Sequence, residues 1–171
     1  MTVSLQNKTM IRSTVEAYKY YNALCRGRPG ITGEEEEKEE SSEKSIDEDI
    51  DAEADAGFEQ FADGPQAFYC AAVIGHLVQQ GKRYEVKGEV RDLLRRAEQW
   101  DRPEKEDIRE SLGVLVKLHY NVTNPDEILQ VVAELAEAGI RRIYEEVREG
   151  GEFDFQARIA DLRELGKSRA S

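Results

Sequence analysis

Residues Pro65–Gln80 read PQAFYCAAVIGHLVQQ, and this stretch is apolar on nearly every side of a helix. Proline is favourable in the first turn of a helix, because its missing N–H has no helical partner there. Gly81 follows the stretch, and glycine is the residue that most readily ends a helix. A helix without a polar face is shielded from water all round. We therefore predict that this helix lies at the centre of the fold.

The segments on either side carry apolar residues at steps of three and four, the spacing typical of amphipathic helices. Further helices are predicted over Thr9–Cys25, over Tyr84–Trp100, from Asp101 through His119, from Asn124 to Arg148 and over Asp154–Leu165. The fourth helix of the chain is predicted to turn one face inward, made of Ile108, Leu112, Leu115 and His119. Asn124 is predicted to cap the helix that follows it, and Gly139 is predicted to bend that helix.

No segment shows sustained alternation with a period of two, the pattern that indicates strands. The predicted fold is therefore all-α, a compact bundle of five to six helices in a single domain over residues 1–171.

An acidic segment separates the first predicted helix from the central one. Residues 33–60 contain 14 acids and 2 bases. The charge of this segment alone is therefore -12, the same as the formal net charge of the whole chain. Almost no apolar side chains are present there to repay the entropy of ordering. We therefore predict a disordered acidic insert over residues 31–57.

The composition indicates a protein of the cytoplasm. No basic segment followed by an apolar run opens the sequence, so no signal peptide is predicted. The longest apolar run is too short for the roughly 20 residues that a membrane span needs, so no membrane partner is expected. The two cysteines, Cys25 and Cys70, are predicted to be small buried side chains rather than a disulfide pair.

The sequence contains no catalytic signature, so we predict that the protein is not an enzyme and uses no cofactor or metal. The two histidines, His76 and His119, lack the Glu-x-x-His spacing of di-iron bundles, and no His-Glu-x-x-His or phosphate-binding glycine loop is present. Each histidine is interpreted as a hydrogen-bonded core residue. Convergence of both with a carboxylate in one pocket would instead indicate a catalytic site.

Two groups of basic residues are candidate nucleic-acid contacts. On the first predicted helix, four cations fall within an arc of roughly 40° at about 100° per residue, with Glu16 as the only acid near them: Lys8, Arg12, Lys19 and Arg26. A weaker stripe is predicted on the helix over Tyr84–Trp100, made of Lys87, Arg91 and Arg95. Such stripes can bind phosphates without reading sequence. The alternative is that both are ordinary solvated helix faces.

The segment Phe58–Gln80, FEQFADGPQAFYCAAVIGHLVQQ, places an aromatic residue and a glycine before an apolar helix with an Ile-Gly-x-Leu step. It resembles the helix that opens the C-terminal helical region of large subunits of type I CRISPR effectors, a region that also occurs as a separate small subunit. The size, the predicted all-α class and the succession of amphipathic helices are similar to those small subunits.

The resemblance implies a non-enzymatic small subunit of a Cascade-type ribonucleoprotein, with the other subunits as partners. It implies contacts with the backbone of the guide RNA–target DNA duplex or of the displaced strand, while base pairing reads the sequence. The alternative is a helical protein–protein adaptor without a nucleic-acid role, and self-association is open in both cases. Salt-dependent binding of nucleic acid separates the two.

Overall fold

The computed structural model describes residues 3–25, 61, 64–101, 103, 106–150, 154–157, 160–161 and 164, without the side chains of residues 98 and 99. Within these residues the chain forms two strands and five helices, in the order β1 (Met10–Thr14), α1 (Val15–Leu24), α2 (Gly64–Gln79), β2 (Val90–Arg95), α3 (Arg96–Gln99), α4 (Glu106–Tyr120) and α5 (Pro125–Gly150). The predicted insert over 31–57 lies outside the described residues.

The centre of the fold is the packing of α2 against α5. The prediction of a buried central helix is confirmed, since Phe68, Ala71 and Ile74 of α2 are almost fully buried. In α5, every residue over 131–140 is buried. The two helices meet at Gly75 and Gly139, where an added Cβ on Gly139 would overlap the carbonyl oxygen of Ala71. Gly139 therefore serves close helix contact, and α5 continues through it without a break.

The predicted all-α fold is wrong, because β1 and β2 form a two-stranded antiparallel sheet. The predicted helix over Thr9–Cys25 is helical only from Val15, and the predicted helix over Tyr84–Trp100 contains β2 and the four-residue α3. Apolar residues in these segments satisfy the helical spacing, but they also fit half-buried strands. Gly88 has φ of 110°, which a helix does not allow. The backbone hydrogen bonds between β1 and β2, which are distant in sequence, then stabilise the sheet rather than two helices.

The helix α4 packs less tightly than predicted. Leu112 and Val116 are its buried residues, whereas Ile108 and His119, both predicted to face inward, are exposed. On a helical projection at 100° per residue, the buried stripe is rotated by about 50° from the predicted one. The cause is that α4 packs mainly on α5, rather than in the middle of a bundle.

The predicted cap at Asn124 is confirmed, and Asp154 makes a similar contact further along the chain. Asn124 Oδ1 accepts hydrogen bonds from the backbone N–H groups of Asp126 (2.9 Å) and Glu127 (3.3 Å) at the start of α5. Asp154 Oδ1 accepts from Ala157 N at 3.0 Å. Residues 155–157, 160, 161 and 164 of the predicted last helix are helical, and its other residues after Asp154 lie outside the described part of the chain. None of the helices described here is both long and apolar enough to cross a membrane.

Candidate nucleic-acid interface

The sheet gathers basic residues that the sequence had placed on two separate helices. In the register of the sheet, Met10 lies opposite Arg95 and Arg12 lies opposite Asp92, with a bulge after Ile11. Successive side chains of a strand point to opposite faces. Because Ile11 is buried, its neighbours Met10 and Arg12 project from the outer face of the sheet, together with their partners on β2.

Six of the seven predicted basic residues fall within the described part of the chain, and Arg26 lies outside it. Lys8 is exposed just before β1, and Lys19 is exposed on α1. Arg91 places its guanidinium 3.6 Å from the ring centre of Tyr18, the residue before Lys19. We use the name basic face for four cations on or beside the outer side of the sheet and α1, namely Lys8, Arg12, Lys19 and Arg95. Arg91 lies opposite the buried Ser13 and therefore points to the other side of the sheet. The sheet thus brings Arg12 of the first predicted stripe and Arg95 of the second to the same side.

The seventh residue, Lys87, lies apart from the basic face as defined. It belongs to the loop before β2, and its Nζ is 3.6 Å from a carboxylate oxygen of Glu85, with both side chains largely exposed. The prediction that Lys87 shares a helix face with Arg91 and Arg95 is wrong, because this part of the chain is not helical.

Two acids near the basic face, Asp92 and Glu16, are paired with arginines. Asp92 Oδ1 lies 3.3 Å from Arg12 Nε, and both side chains are partly exposed. Glu16 accepts a hydrogen bond from Tyr20 Oη at 2.8 Å and lies 2.9 Å from Arg141 of α5. The hydrogen bonds from Arg141 and Tyr20 lower the pKa of Glu16 below its ordinary value. Arg141 therefore offsets the negative charge of Glu16, which would otherwise repel phosphates from this side of α1.

A buried carboxylate holds the junction between β1 and α1. Glu137 is 1% exposed, and its two oxygens accept hydrogen bonds from the backbone N and the Oγ1 of Thr14, each at 2.8 Å. Thr14 Oγ1 also accepts from Ala17 N at 3.0 Å, which caps α1. Burial raises the pKa of Glu137, and the hydrogen bonds from Thr14 oppose that change. The carboxylate thus fixes the angle between the strand and the helix that carry the basic face.

A second polar group of α5 attaches the N-terminal segment and the loop after α2. Gln130 Oε1 accepts from Leu5 N at 2.8 Å, while its Nε2 donates to Val3 O at 2.8 Å. Glu134 is fully buried and accepts two hydrogen bonds from Arg83, at 2.8 and 2.9 Å. A buried carboxylate with such a bidentate partner is well satisfied.

The buried polar residues of α5 were not predicted from the sequence, although the sequence contains a signal for them. Residues 131–140 read VVAELAEAGI, an apolar run interrupted only by Glu134 and Glu137. Acids three apart inside such a run lie on neighbouring positions of one helix face. Because a buried charge needs a partner, the run itself predicts hydrogen-bonded carboxylates in the core.

The two histidines are brought together by the ends of α2 and α4. Their ring centres are 4.7 Å apart, and His76 Nδ1 is hydrogen-bonded to Tyr120 Oη at 2.9 Å. Burial, followed by the nearby His119, lowers the pKa of His76. Over the residues described, no group of three or more His, Cys, Asp or Glu side chains is placed to hold a metal ion. His76 is thus hydrogen-bonded as predicted, whereas the prediction of a core position for His119 is wrong.

Neither cysteine belongs to a candidate metal site within the described residues. Cys25 is buried and Cys70 is half-buried, and no disulfide bond joins them. Burial raises the pKa of Cys70 to about 11, so its thiol stays protonated near neutral pH and is a poor nucleophile. The interpretation of both cysteines as small packing residues agrees with this burial.

No protein-family model matches this chain, and neither the curated proteins nor the solved structures compared with it contain a significant match.

Proposed function

We propose that this protein is a non-enzymatic small subunit of a ribonucleoprotein, which contacts backbone phosphates through the basic face. The observation that carries the proposal is the pairing of β1 with β2, which sets Arg12 and Arg95 on one side of the sheet. Lys8 lies just before β1 and Lys19 lies on α1. Arginine and lysine on an exposed surface are the residues that most often contact phosphates.

The class of ribonucleoprotein that we favour is a type I CRISPR effector, on the resemblance of Phe58–Gln80. The predicted all-α class no longer supports this resemblance, because the chain contains a sheet. The buried apolar helix α2 and the size of the chain continue to support it. In such a complex the basic face would touch the backbone of the guide RNA–target DNA duplex or of the displaced strand, without reading bases.

The test is a fluorescence-anisotropy titration with single-stranded DNA, duplex DNA and RNA, at about 50 mM and about 200 mM salt. Wild type is compared with the triple variant Lys8→Glu/Arg12→Glu/Lys19→Glu. The control variant Lys82→Glu/Lys117→Glu/Arg148→Glu makes the same change in net charge at exposed positions outside the basic face. We expect binding that weakens with salt and is lost in the triple variant, while the control keeps most of it.

The dependence on salt provides an independent check. The logarithm of the affinity for a single strand falls with the logarithm of the salt concentration by about 0.7 for each phosphate contact. Each lost contact on the basic face should reduce the slope by about that amount. Equal losses in both variants, or no binding at low salt, would contradict the proposal.

A second candidate function is a protein–protein adaptor, and the outer side of α4 favours it. Val114 is 54% exposed and Leu118 is 76% exposed, and Ile108 adds a third exposed apolar side chain on the same helix. If nucleic acid does not bind, self-association measured by light scattering should decrease in Val114→Lys/Leu118→Lys. If wild type and the variant are both monomers, self-association through this surface is excluded.

A further inference from the structure

We propose that His76 and His119 form a binding site for one divalent late transition-metal ion, such as Zn²⁺ or Ni²⁺. The site lies where α2 and α4 approach their C-terminal ends, and it does not depend on the proposed function. These are the two histidines of the chain, and the fold brings them from positions far apart in sequence to a ring separation of 4.7 Å. Imidazole is a preferred ligand of zinc, nickel and copper.

The geometry of the pair fits a single shared ion. A zinc ion lies about 2.0 to 2.1 Å from a ligating imidazole nitrogen, and therefore about 3.2 Å from the ring centre. Two ligands at an angle of about 90° to 110° would then place their ring centres about 4.5 to 5.2 Å apart. The observed separation of 4.7 Å falls within this interval, and the rings are tilted by 53° rather than stacked in parallel.

Tyr120 gives His76 the support that metal-binding histidines have. His76 Nδ1 is hydrogen-bonded to Tyr120 Oη at 2.9 Å, and the two rings pack edge to face. A histidine that is held through one nitrogen presents the other to the ion in a fixed orientation. Here Nε2 is the nitrogen left for the ion. Because Tyr120 is the chain neighbour of His119, the same helix end supplies both the second ligand and the supporting hydroxyl.

The site is accessible and would be open. His119 is exposed, so an ion can reach it from solvent. Two protein ligands leave the remaining coordination positions to water or to a group from a partner, as in sites that are not purely structural.

A bound ion would connect two helices that otherwise touch little. Next to Tyr69, Cys70 and Val73 of α2, a cavity of 340 Å³ separates this helix from Ile108 and Leu112 of α4. An ion held by one histidine from each helix would cross-link them. A ligand that binds only the folded state stabilises it by mass action. Zinc should therefore raise the thermal midpoint of unfolding and slow hydrogen exchange in α4.

The test is calorimetric titration of the full chain with Zn²⁺ alone and with Ni²⁺ alone. We expect one equivalent of either ion to bind, with an affinity at least tenfold lower in His119→Gln and in His76→Gln. Tyr120→Phe should weaken binding by about tenfold, the lower end of the effect of a supporting hydrogen bond. Cys70→Ser is the matched control and should bind as wild type does. Circular dichroism establishes whether each variant is folded. If His76→Gln unfolds, His119→Gln still tests the site, because His119 is exposed and its substitution should leave the fold intact.

The electron paramagnetic resonance spectrum of the Cu²⁺-loaded protein gives a second readout, which should show two coordinating nitrogens in wild type and one in His119→Gln. Absence of binding up to millimolar metal would overturn the proposal. So would binding that is unchanged in His119→Gln or lost in Cys70→Ser, because the ion would then lie on carboxylates or on a thiol.

Discussion

At the scale of single residues, the crossing of α2 and α5 depends on two glycines. A methyl group on Gly139 would overlap the carbonyl oxygen of Ala71, and one on Gly75 would overlap that of Leu135. Both obstacles are backbone atoms, which cannot turn aside as a flexible side chain can. We expect Gly139→Ala to lower the free energy of unfolding by about 2 to 4 kcal/mol, the upper range of overpacking in a core. Urea unfolding measures it.

Gly113 provides the matched control for this substitution. It lies within α4, and an added Cβ would meet nothing within 4 Å. Alanine is favoured over glycine inside a helix by about 0.5 to 1 kcal/mol, so Gly113→Ala should stabilise the protein. Destabilisation of similar size at both positions would show that close packing is not the reason for Gly139.

The buried Glu137 should give the stability a distinctive dependence on pH. Burial raises its pKa above the ordinary value of 4.5, so the folded protein holds this proton more tightly than the unfolded chain does. Stability then increases as the pH falls from the folded pKa toward 4.5. We expect the free energy of unfolding of wild type relative to Glu137→Gln to increase between neutral pH and 4.5, measured by urea unfolding at several pH values.

Glu16 is the control of opposite sign. Its pKa is lowered by hydrogen bonds from Arg141 and Tyr20, so its contribution to stability is complete above 4.5 and is lost as the pH falls through the folded pKa. Wild type relative to Glu16→Gln should therefore lose stability only in acid. A flat difference between wild type and Glu137→Gln over the same pH values would contradict the assignment of a raised pKa.

At the scale of elements, α4 differs from the two helices that form the core. Among its residues only Leu112 and Val116 are buried, whereas α5 buries more than half of its length. Local opening is easiest where few apolar contacts must be broken. We expect backbone amides of 106–120 to exchange with deuterium faster than those of 64–79 and 131–147, measured by mass spectrometry of peptides. Equal protection in all three segments would mean that α4 opens only with the whole molecule.

At the scale of the whole molecule, the charge is unevenly distributed along the chain. Residues 33–60 hold 14 acids and 2 bases, and the chain as a whole has a formal net charge of -12. A strongly negative net charge opposes the approach of nucleic acid at low salt, even where a local surface is basic. Replacing 33–60 by a glycine–serine linker of the same length should therefore increase the affinity for single-stranded DNA at low salt, with a smaller gain as salt screens the repulsion.

The informative comparison is with the triple variant of the basic face. The linker substitution should restore little binding to a chain that carries Lys8→Glu/Arg12→Glu/Lys19→Glu, because the contacts themselves are missing. An unchanged affinity of the linker chain at every salt concentration would show that the acidic residues do not compete with nucleic acid.

Two features of the fold follow from the sequence alone. The apolar run Pro65–Gln80 predicts a buried helix, and α2 buries residues such as Phe68, Ala71 and Ile74, while Cys70, Val73 and Val78 are only partly buried. The Asn124–Pro125 step combines a cap with a residue suited to the first helical turn, and α5 begins at Pro125. In these places the local chemistry permits one conformation, and the tertiary structure agrees with it.

Tertiary structure alone decided the rest. Met10–Thr14 and Val90–Arg95 carry patterns that fit a helix as well as a strand, and only their pairing with each other satisfies their backbone as a sheet. The same pairing sets Arg12 and Arg95 on one face, and the ends of α2 and α4 bring His76 to His119. Periodicity describes a segment by itself, whereas a sheet, a shared surface and a pair of ligands depend on residues distant in sequence. The sequence therefore determined the buried helix α2 and the start of α5, and long-range packing determined the sheet and both candidate sites.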